Sequence, residues 1–268
     1  PFPVSTGSPL FQAISAGNEF SLGLTTGGAL YAWGHDYYNE LGNGDGGEKS
    51  SPSPVDVSGL PGGLTFSAIS AGDRFSLALA SNNNVYSWGQ NGSGQLGNGT
   101  TNVSKTPGAV SNPVGVHFVA IAAGAKHALA KGSDGKLYSW GDNSHGELGN
   151  GNTTNRPSPA AVPAPTGASG SFNYTDFSAG NLFSLALGND GKLYAWGFNA
   201  YGQLGNGNTT DSSRPVQVSN PTGTGAGFHF TAIRAADGFS LALGNDNKLY
   251  AFGYNQDGRL GDNTVLNR

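Results

Sequence analysis

The stretch "LYAWGFNAYGQLGNG", residues 193–207, decides how this chain reads. A binding site would need it once, whereas a building unit would need it many times. It occurs five times: "LYAWGHDYYNELGNG" from Leu30, "VYSWGQNGSGQLGNG" from Val85, "LYSWGDNSHGELGNG" from Leu137, the quoted copy from Leu193, and "LYAFGYNQDGRLGDN" from Leu249. The anchoring aromatics are Trp33, Trp88, Trp140, Trp196 and Phe252, which sets a period of 52 to 56 residues.

A second block precedes each anchor. Its Ala-Gly glycine lies 16 residues upstream at Gly17, Gly72, Gly124 and Gly180, with Ala236 in the fifth copy. The Leu of the Leu-Gly step always follows the anchor by 8: Leu41, Leu96, Leu148, Leu204 and Leu260. From that Leu to the next Ala-Gly position the counts are 31, 28, 32 and 32. A rigid unit is therefore joined by connectors of variable length, which places the connectors on the surface.

Within the unit, "FSLAL" and "LYAWG" alternate large and small residues, as strands packed between layers do. The pairs Gly27-Gly28, Asn83-Asn84, Asp134-Gly135, Asp190-Gly191 and Asp246-Asn247 between them suit tight hairpins. The Ala-Gly step lets a third strand approach its neighbour closely, and Pro-containing segments such as "RPVQV" at 214–218 read as an outer strand. Four short strands repeated five times, without helical periodicity, predict an all-β fold: a β-propeller of four-stranded blades occupying 1–268 as a single domain. Read circularly, "GDNTVLNR" followed by "PFPVSTGSPLFQAISAG" mimics an internal connector, so the terminal segments are expected to pair and close a five-bladed ring. The rival is a fragment of a longer array.

The combined pattern, AG-x-x-(H/F)-S-L-A-L followed by LY-(A/S)-W-G-x-N-x-x-G-Q-L-G-N-G, resembles the regulator-of-chromosome-condensation repeat. The resemblance covers essentially the whole chain and implies one four-stranded blade per repeat. His127 matches the family's His in that block, where Phe20, Phe75, Phe183 and Phe239 stand in the other copies; packing beside a hairpin is its simplest role. Familiar members have seven blades, and five repeats depart from that. The resemblance also covers a nucleotide exchange factor for a small nuclear GTPase, whose activity relies on an inserted wedge absent from these connectors, and secreted bacterial β-lactamase inhibitors. No residue specific to either is identifiable from the repeat.

Composition narrows the function. Gly supplies 45 of 268 residues, yet four Trp, ten Tyr and fourteen Phe argue for turn-rich folded repeats and against disorder. A net charge of −4 without a basic cluster gives no footprint for nucleic acid. No apolar stretch approaches a membrane-spanning helix, so no membrane insertion is expected. Absence of Cys removes thiolate metal sites and thiol nucleophiles. His35, His117, His127, His145 and His229 form no metal-binding spacing, and "DGGEK" at 45–49 lacks that of a calcium loop. No catalytic, cofactor or metal residues are assigned, and an enzyme is not expected.

What varies among the copies carries the remaining information. After each W-G or F-G the loop reads "HDYYNE", "QNGSGQ", "DNSHGE", "FNAYGQ" and "YNQDGR". A kept frame with changing tips is how loops carry recognition. The partner-binding candidates are His35, Asp36, Tyr37, Tyr38, His145, Phe198, Tyr201 and Tyr254, with Arg74 and Lys126 from the Ala-Gly turns. Packing on the adjacent blade is the competing role for the aromatics. The expected function is a non-catalytic binding or scaffold propeller with a protein partner, bacterial and extracellular or at the cell surface. The alternatives are a structural module of a longer repeat adhesin, stalk or filament, and, from the resemblance, a β-lactamase-inhibitor-like or guanine-nucleotide-exchange-like propeller; self-association stays open.

Overall fold

The hairpin turns set the blades. At the tip joining the second and third strands of each blade, the chain takes positive φ at Gly28, Asn83, Gly135, Gly191 and Asn247. In the second copy the left-handed residue is thus Asn83 as the second member of Asn82-Asn83, one place earlier than the Asn83-Asn84 pair suggests. The computed structural model describes residues 9–168 and 170–268. They form nineteen strands in five antiparallel sheets.

Blade 1 comprises β1 (Phe11–Ala16), β2 (Phe20–Thr25), β3 (Leu30–Gly34) and β4 (Lys49–Pro54). Blade 2 comprises β5 (Phe66–Ala71), β6 (Phe75–Ala80), β7 (Val85–Gly89) and β8 (Ser104–Ala109). Blade 3 comprises β9 (Phe118–Ala123), β10 (His127–Gly132), β11 (Leu137–Gly141) and β12 (Arg156–Ala161). Blade 4 comprises β13 (Tyr174–Ala179), β14 (Phe183–Gly188), β15 (Leu193–Gly197) and β16 (Ser212–Gln217). Blade 5 has β17 (Phe230–Ala235), β18 (Phe239–Gly244) and β19 (Leu249–Gly253), three strands among the described residues. The outer strand read at 214–218 begins two residues earlier. Its Val218 lies just beyond the strand yet is buried, as are Val55, Val110 and Val162 at the same place.

Each joint between blades repeats one packing scheme. Leu185, Leu187 and Leu193 on one face of blade 4 meet Phe230, Ile233 and Ala242 of blade 5. The same pattern joins blades 1 and 2 and blades 2 and 3. The Ala-Gly glycines line the axis because nothing larger fits there. A Cβ on Gly17 would lie 2.6 Å from the carbonyl oxygen of Gly72, and one on Gly124 would lie 2.5 Å from that of Gly180.

Polar hooks lock each joint. The indole of Trp88 donates to the main-chain carbonyl of Glu40 at 2.8 Å, Trp140 to that of Gln95 at 2.9 Å, and Trp196 to that of Glu147 at 2.7 Å. Ser76, Ser184 and Ser240 send their hydroxyls to Glu40, Glu147 and Gln203 in the same way. A main-chain carbonyl has two lone pairs, and where both donors are present both are used. Phe252 has no N–H, so Gln203 receives only the hydroxyl of Ser240.

The expected closed ring is not what the described residues form. Packing runs from blade 1 through to blade 5 in order, but blade 5 does not pack back on blade 1 in that manner. Ile14 is 78% exposed on the rear face of blade 1, and Leu249 is 67% exposed on the forward face of blade 5. The equivalents of Leu249 in blades 1 to 4, Leu30, Val85, Leu137 and Leu193, are buried. Among the described residues the five blades make an open arc, with an unpacked face at each end. The N-terminal half of the expected closing strand, residues 1–8, lies outside the described residues. Its other half is partly visible, because Arg268 pairs with Gly253 through N–H···O=C contacts of 2.7 and 3.1 Å. That is the rung from which outer strands start elsewhere, as in Gly197 with Ser212 and Gly141 with Arg156.

Candidate recognition face

Both variable sets emerge at the same end of the blades. The Ala-Gly turn joins the first and second strands, and the W-G loop leaves the third, so antiparallel order brings them together. His35 N–H donates to the Glu19 carbonyl, Gln90 to Arg74, Asp142 to Lys126, Phe198 to Leu182 and Tyr254 to Gly238, each at 2.9 Å. The W-G glycine makes this possible. Gly34, Gly89, Gly141, Gly197 and Gly253 all take φ near +100°, and a Cβ on Gly197 would sit 2.6 Å from the Leu182 carbonyl.

The loop that follows is held from inside. Asn91, Asn143, Asn199 and Asn255 are fully buried, and each accepts from the N–H of the Leu five residues on at 2.9 to 3.0 Å. Their amide nitrogens donate to two carbonyls of the following turn, for Asn199 those of Asn208 and Thr210 at 3.0 Å each. Asn199 therefore belongs to the frame, although "FNAY" as a whole reads as variable. The signal was present in the sequence, since Asn stands three residues after the anchor in four of five copies.

Asp36 occupies that place in blade 1 and is a correction to its reading as a surface tip. It is 1% exposed, and its Oδ1 accepts from Leu41 N–H at 2.9 Å. Its Oδ2, standing where an amide would donate, has no partner. Burial pushes its carboxyl up to about 6.

The other nine candidates fall into two clusters and one separate residue. In the first cluster Arg74 lies 4.6 Å over the Tyr38 ring and donates to its hydroxyl at 2.9 Å. Tyr37, 76% exposed, meets Tyr38 edge-on at 4.9 Å. His35 Nδ1 bonds the buried Glu40 carboxylate at 2.8 Å, which raises the His35 pKa. The second cluster is a row across three blades. His145 meets Phe198 at 4.8 Å, Phe198 meets Tyr201 at 5.8 Å, and Tyr201 meets Tyr254 at 4.7 Å. Arg259, the last residue of the fifth loop copy and not among the ten candidates, caps the row 4.5 Å over Tyr254. His145 is tied to Asp211 at 2.8 Å. Lys126 stands apart, exposed at the Ala-Gly turn of blade 3.

Between the clusters the axis opens as a polar depression of about 410 Å³ ringed by the Ala-Gly turns, with Asn18, Asp73, Asn181 and Asp237 on its rim. Among the described residues no group of three His, Asp or Glu side chains converges as metal ligands would. His127 is a packing residue. It is fully buried, its Nε2 lies 3.0 Å from the Ser184 hydroxyl in the next blade, and burial lowers its pKa to about 4.

The profile of the RCC1-like domain matches residues 2–267. The chain belongs to the RCC1-like family. Among curated relatives, the ultraviolet-B receptor UVR8 of Arabidopsis thaliana is 30% identical over 250 residues, covering 93% of this chain and 54% of the relative. The probable E3 ubiquitin-protein ligase HERC6 of Homo sapiens is 31% identical over 261 residues, covering 96% of this chain and 24% of the relative. The chain thus spans about half of UVR8 and a smaller part of HERC6. Among solved structures, human WBSCR16 superposes with a TM-score of 0.81 at 24% identity, over 95% of this chain and 64% of that one. Yeast RCC1 (Prp20), solved bound to Kap60, gives 0.75 at 23% identity, over 91% and 56%. The RCC1-like arc of this chain follows part of those longer propellers. It is an all-β stack of blades whose ends bear the variable loops.

Proposed function

We propose that this RCC1-like arc is a non-catalytic protein-binding module that engages its partner through the face bearing the W-G loops. The observation that carries this reading is the aromatic row from His145 to Tyr254, capped by Arg259 and assembled from three separate repeats. The frame keeps its buried Asn and Leu while these tips change, and Tyr and Arg are the side chains that dominate protein interfaces. Burying aromatic area costs little rotamer freedom. Yeast RCC1 bound to Kap60 is a relative with a protein partner.

The small share of HERC6 that the chain covers favours a second arrangement, in which the arc is one module of a longer protein. The setting we propose for it is the bacterial, extracellular or cell-surface one expected from composition, whereas UVR8 is from Arabidopsis thaliana and HERC6 from Homo sapiens. The paired variants Tyr201→Ala and Tyr254→Ala, with Tyr37→Ala as a third, test the face. Partner capture by cross-linking should drop at least tenfold while the melting temperature holds. Capture that survives these changes but is lost on altering Lys192 and Lys248, at the hairpin end of the blades, would sink the assignment.

A further inference from the structure

In blades 2 to 5 the buried Asn of the W-G loop points its amide nitrogen into a cage of oxygens. Asn91 Nδ2 meets the carbonyls of Thr100 and Asn102 at 3.0 and 2.9 Å, with Asn98 Oδ1 and Thr100 Oγ1 at 3.4 and 3.3 Å. Asn143 has the same set: the carbonyls of Asn152 and Thr154 at 3.0 Å each, with Asn150 Oδ1 and Asn152 Oδ1 at 3.3 and 3.2 Å. Asn199 and Asn255 repeat it. An NH2 group suits such a cage, because it brings two donors to oxygens that can only accept.

Blade 1 keeps the cage and inverts its centre. The same number of residues separates Gly34 from its outer-strand partner Lys49 as separates Gly89 from Ser104. The loop contacts match as well. Asp45 N–H donates to Asn43 Oδ1 at 3.1 Å, as Thr100 N–H does to Asn98 Oδ1 at 3.0 Å. Asp56 N–H donates to the Gly42 carbonyl at 2.9 Å, as Ser111 N–H does to that of Gly97. Asp36 Oδ1 takes the Leu41 N–H just as Asn91 Oδ1 takes that of Leu96, so Asp36 Oδ2 stands at the amide place. That oxygen is buried and has no partner. The loop positions that form the cage elsewhere are here Asn43 Oδ1, the Asp45 carboxylate and the carbonyls of Asp45 and Gly47. Asn43 Nδ2 reaches the Gly47 carbonyl at 3.4 Å, which keeps that carbonyl at the same spot. The Lys49 ammonium does not fill the centre, since Asp45 Oδ2 holds it at 2.7 Å.

Oxygens facing oxygens repel unless a positive charge sits among them. A proton on Asp36 would serve a single neighbour, whereas a cation serves them all. The donors are oxygen throughout: carboxylates, an amide oxygen and main-chain carbonyls. Calcium takes that mixture in an adaptable shell completed by water, whereas magnesium demands a near-ideal octahedron and dehydrates reluctantly. The run at 45–49 has no calcium-loop spacing by itself, because the buried ligand comes from Asp36, nine residues before Asp45.

We propose that the W-G loop of blade 1 binds a calcium ion among the side chains of Asp36, Asn43 and Asp45 and the carbonyls of Asp45 and Gly47. The ion fastens the loop that carries Tyr37 and Tyr38.

The whole chain, first treated with chelator, is titrated with calcium chloride in a calorimeter. A single saturable site is expected, and saturating calcium should raise the melting midpoint by about 5 °C. Asp36→Asn installs the amide of the other four blades and should abolish both responses. In chelator that variant should melt above the unmodified chain, and calcium should narrow the gap. Asp45→Asn should weaken binding by about tenfold, whereas Asp257→Asn, at an exposed carboxylate of the blade 5 loop, should leave it unchanged. The proposal is overturned if no saturable heat appears, or if the response survives Asp36→Asn. An equal midpoint shift from magnesium chloride, or from potassium chloride at matched ionic strength, overturns it too.

Discussion

Trp196 and Trp33 are the same residue of the same repeat in two different situations. Trp196 is fully buried between blades 3 and 4 and hooked to the Glu147 carbonyl, whereas Trp33 lies half-buried on the rear face of blade 1, packed against Phe11 at 5.9 Å. Identical motif residues thus have unequal worth. The difference comes from the neighbouring blade and not from the motif, as expected where each repeat is stabilised by its interfaces.

Truncation should expose that inequality most strongly. Trp196→Ala removes a fully packed ring and leaves the Glu147 carbonyl one donor short, at a cost of about 3–5 kcal/mol. Trp33→Ala should cost less than half of that, read from the midpoints of urea unfolding. Equal losses would break the comparison.

His127 offers a pH-dependent version at the joint between blades 3 and 4. Its folded pKa, about 4, lies below the ordinary 6.5, so the unfolded chain takes up the proton first. Stability should therefore fall as the pH drops from about 6.5 towards 4, by up to about 3 kcal/mol from this group. His127→Phe, which installs the residue found in the other four blades, should remove that slope in urea titrations at pH 4.5 and 7.5. An unchanged slope would mean that the ring is not neutral in the fold.

Asp36 in the end blade has the opposite sign. With its carboxyl raised from 3.8 to about 6, the native state holds the proton longer, so stability falls as the pH rises from about 4 to about 6. Asp36→Asn restores the amide of the other blades and should add about 1–2 kcal/mol at pH 7 and little at pH 4. A gain that is independent of pH would contradict burial of the charge as its cause. The smallest effect belongs to the joint between blades 4 and 5, where Phe252→Trp should supply the missing donor to the Gln203 carbonyl. Thermal unfolding should register about 1 kcal/mol of added stability, and none if the indole cannot reach.

The fold was legible because period, anchor and turns all point to one supersecondary unit. Trp33, Trp88, Trp140, Trp196 and Phe252 mark the third strand of every blade, and the Asp-Gly and Asn pairs mark the hairpins. The arc was not legible, because the repeat is alike in every blade and does not say whether the last one packs back on the first. On the recognition face, exposed tips such as Tyr37 and Tyr201 could be read from their variability. Asp36 stands in the column where the other four copies carry Asn, so its buried place could be read from that column although the residue itself differs. Arg259 closes the fifth loop copy where the other blades carry Glu or Gln, and only the structure shows its side chain turned to Tyr254.

One feature of the joints bears on how such chains change over generations. The hook that receives Trp and Ser from the next blade is a main-chain carbonyl, at Glu40, Gln95, Glu147 or Gln203 alike. Its chemistry does not depend on the side chain that carries it. Any blade can therefore follow any other, so whole units can be duplicated, deleted or shuffled by recombination without reinventing a contact, while the loop tips drift towards new partners.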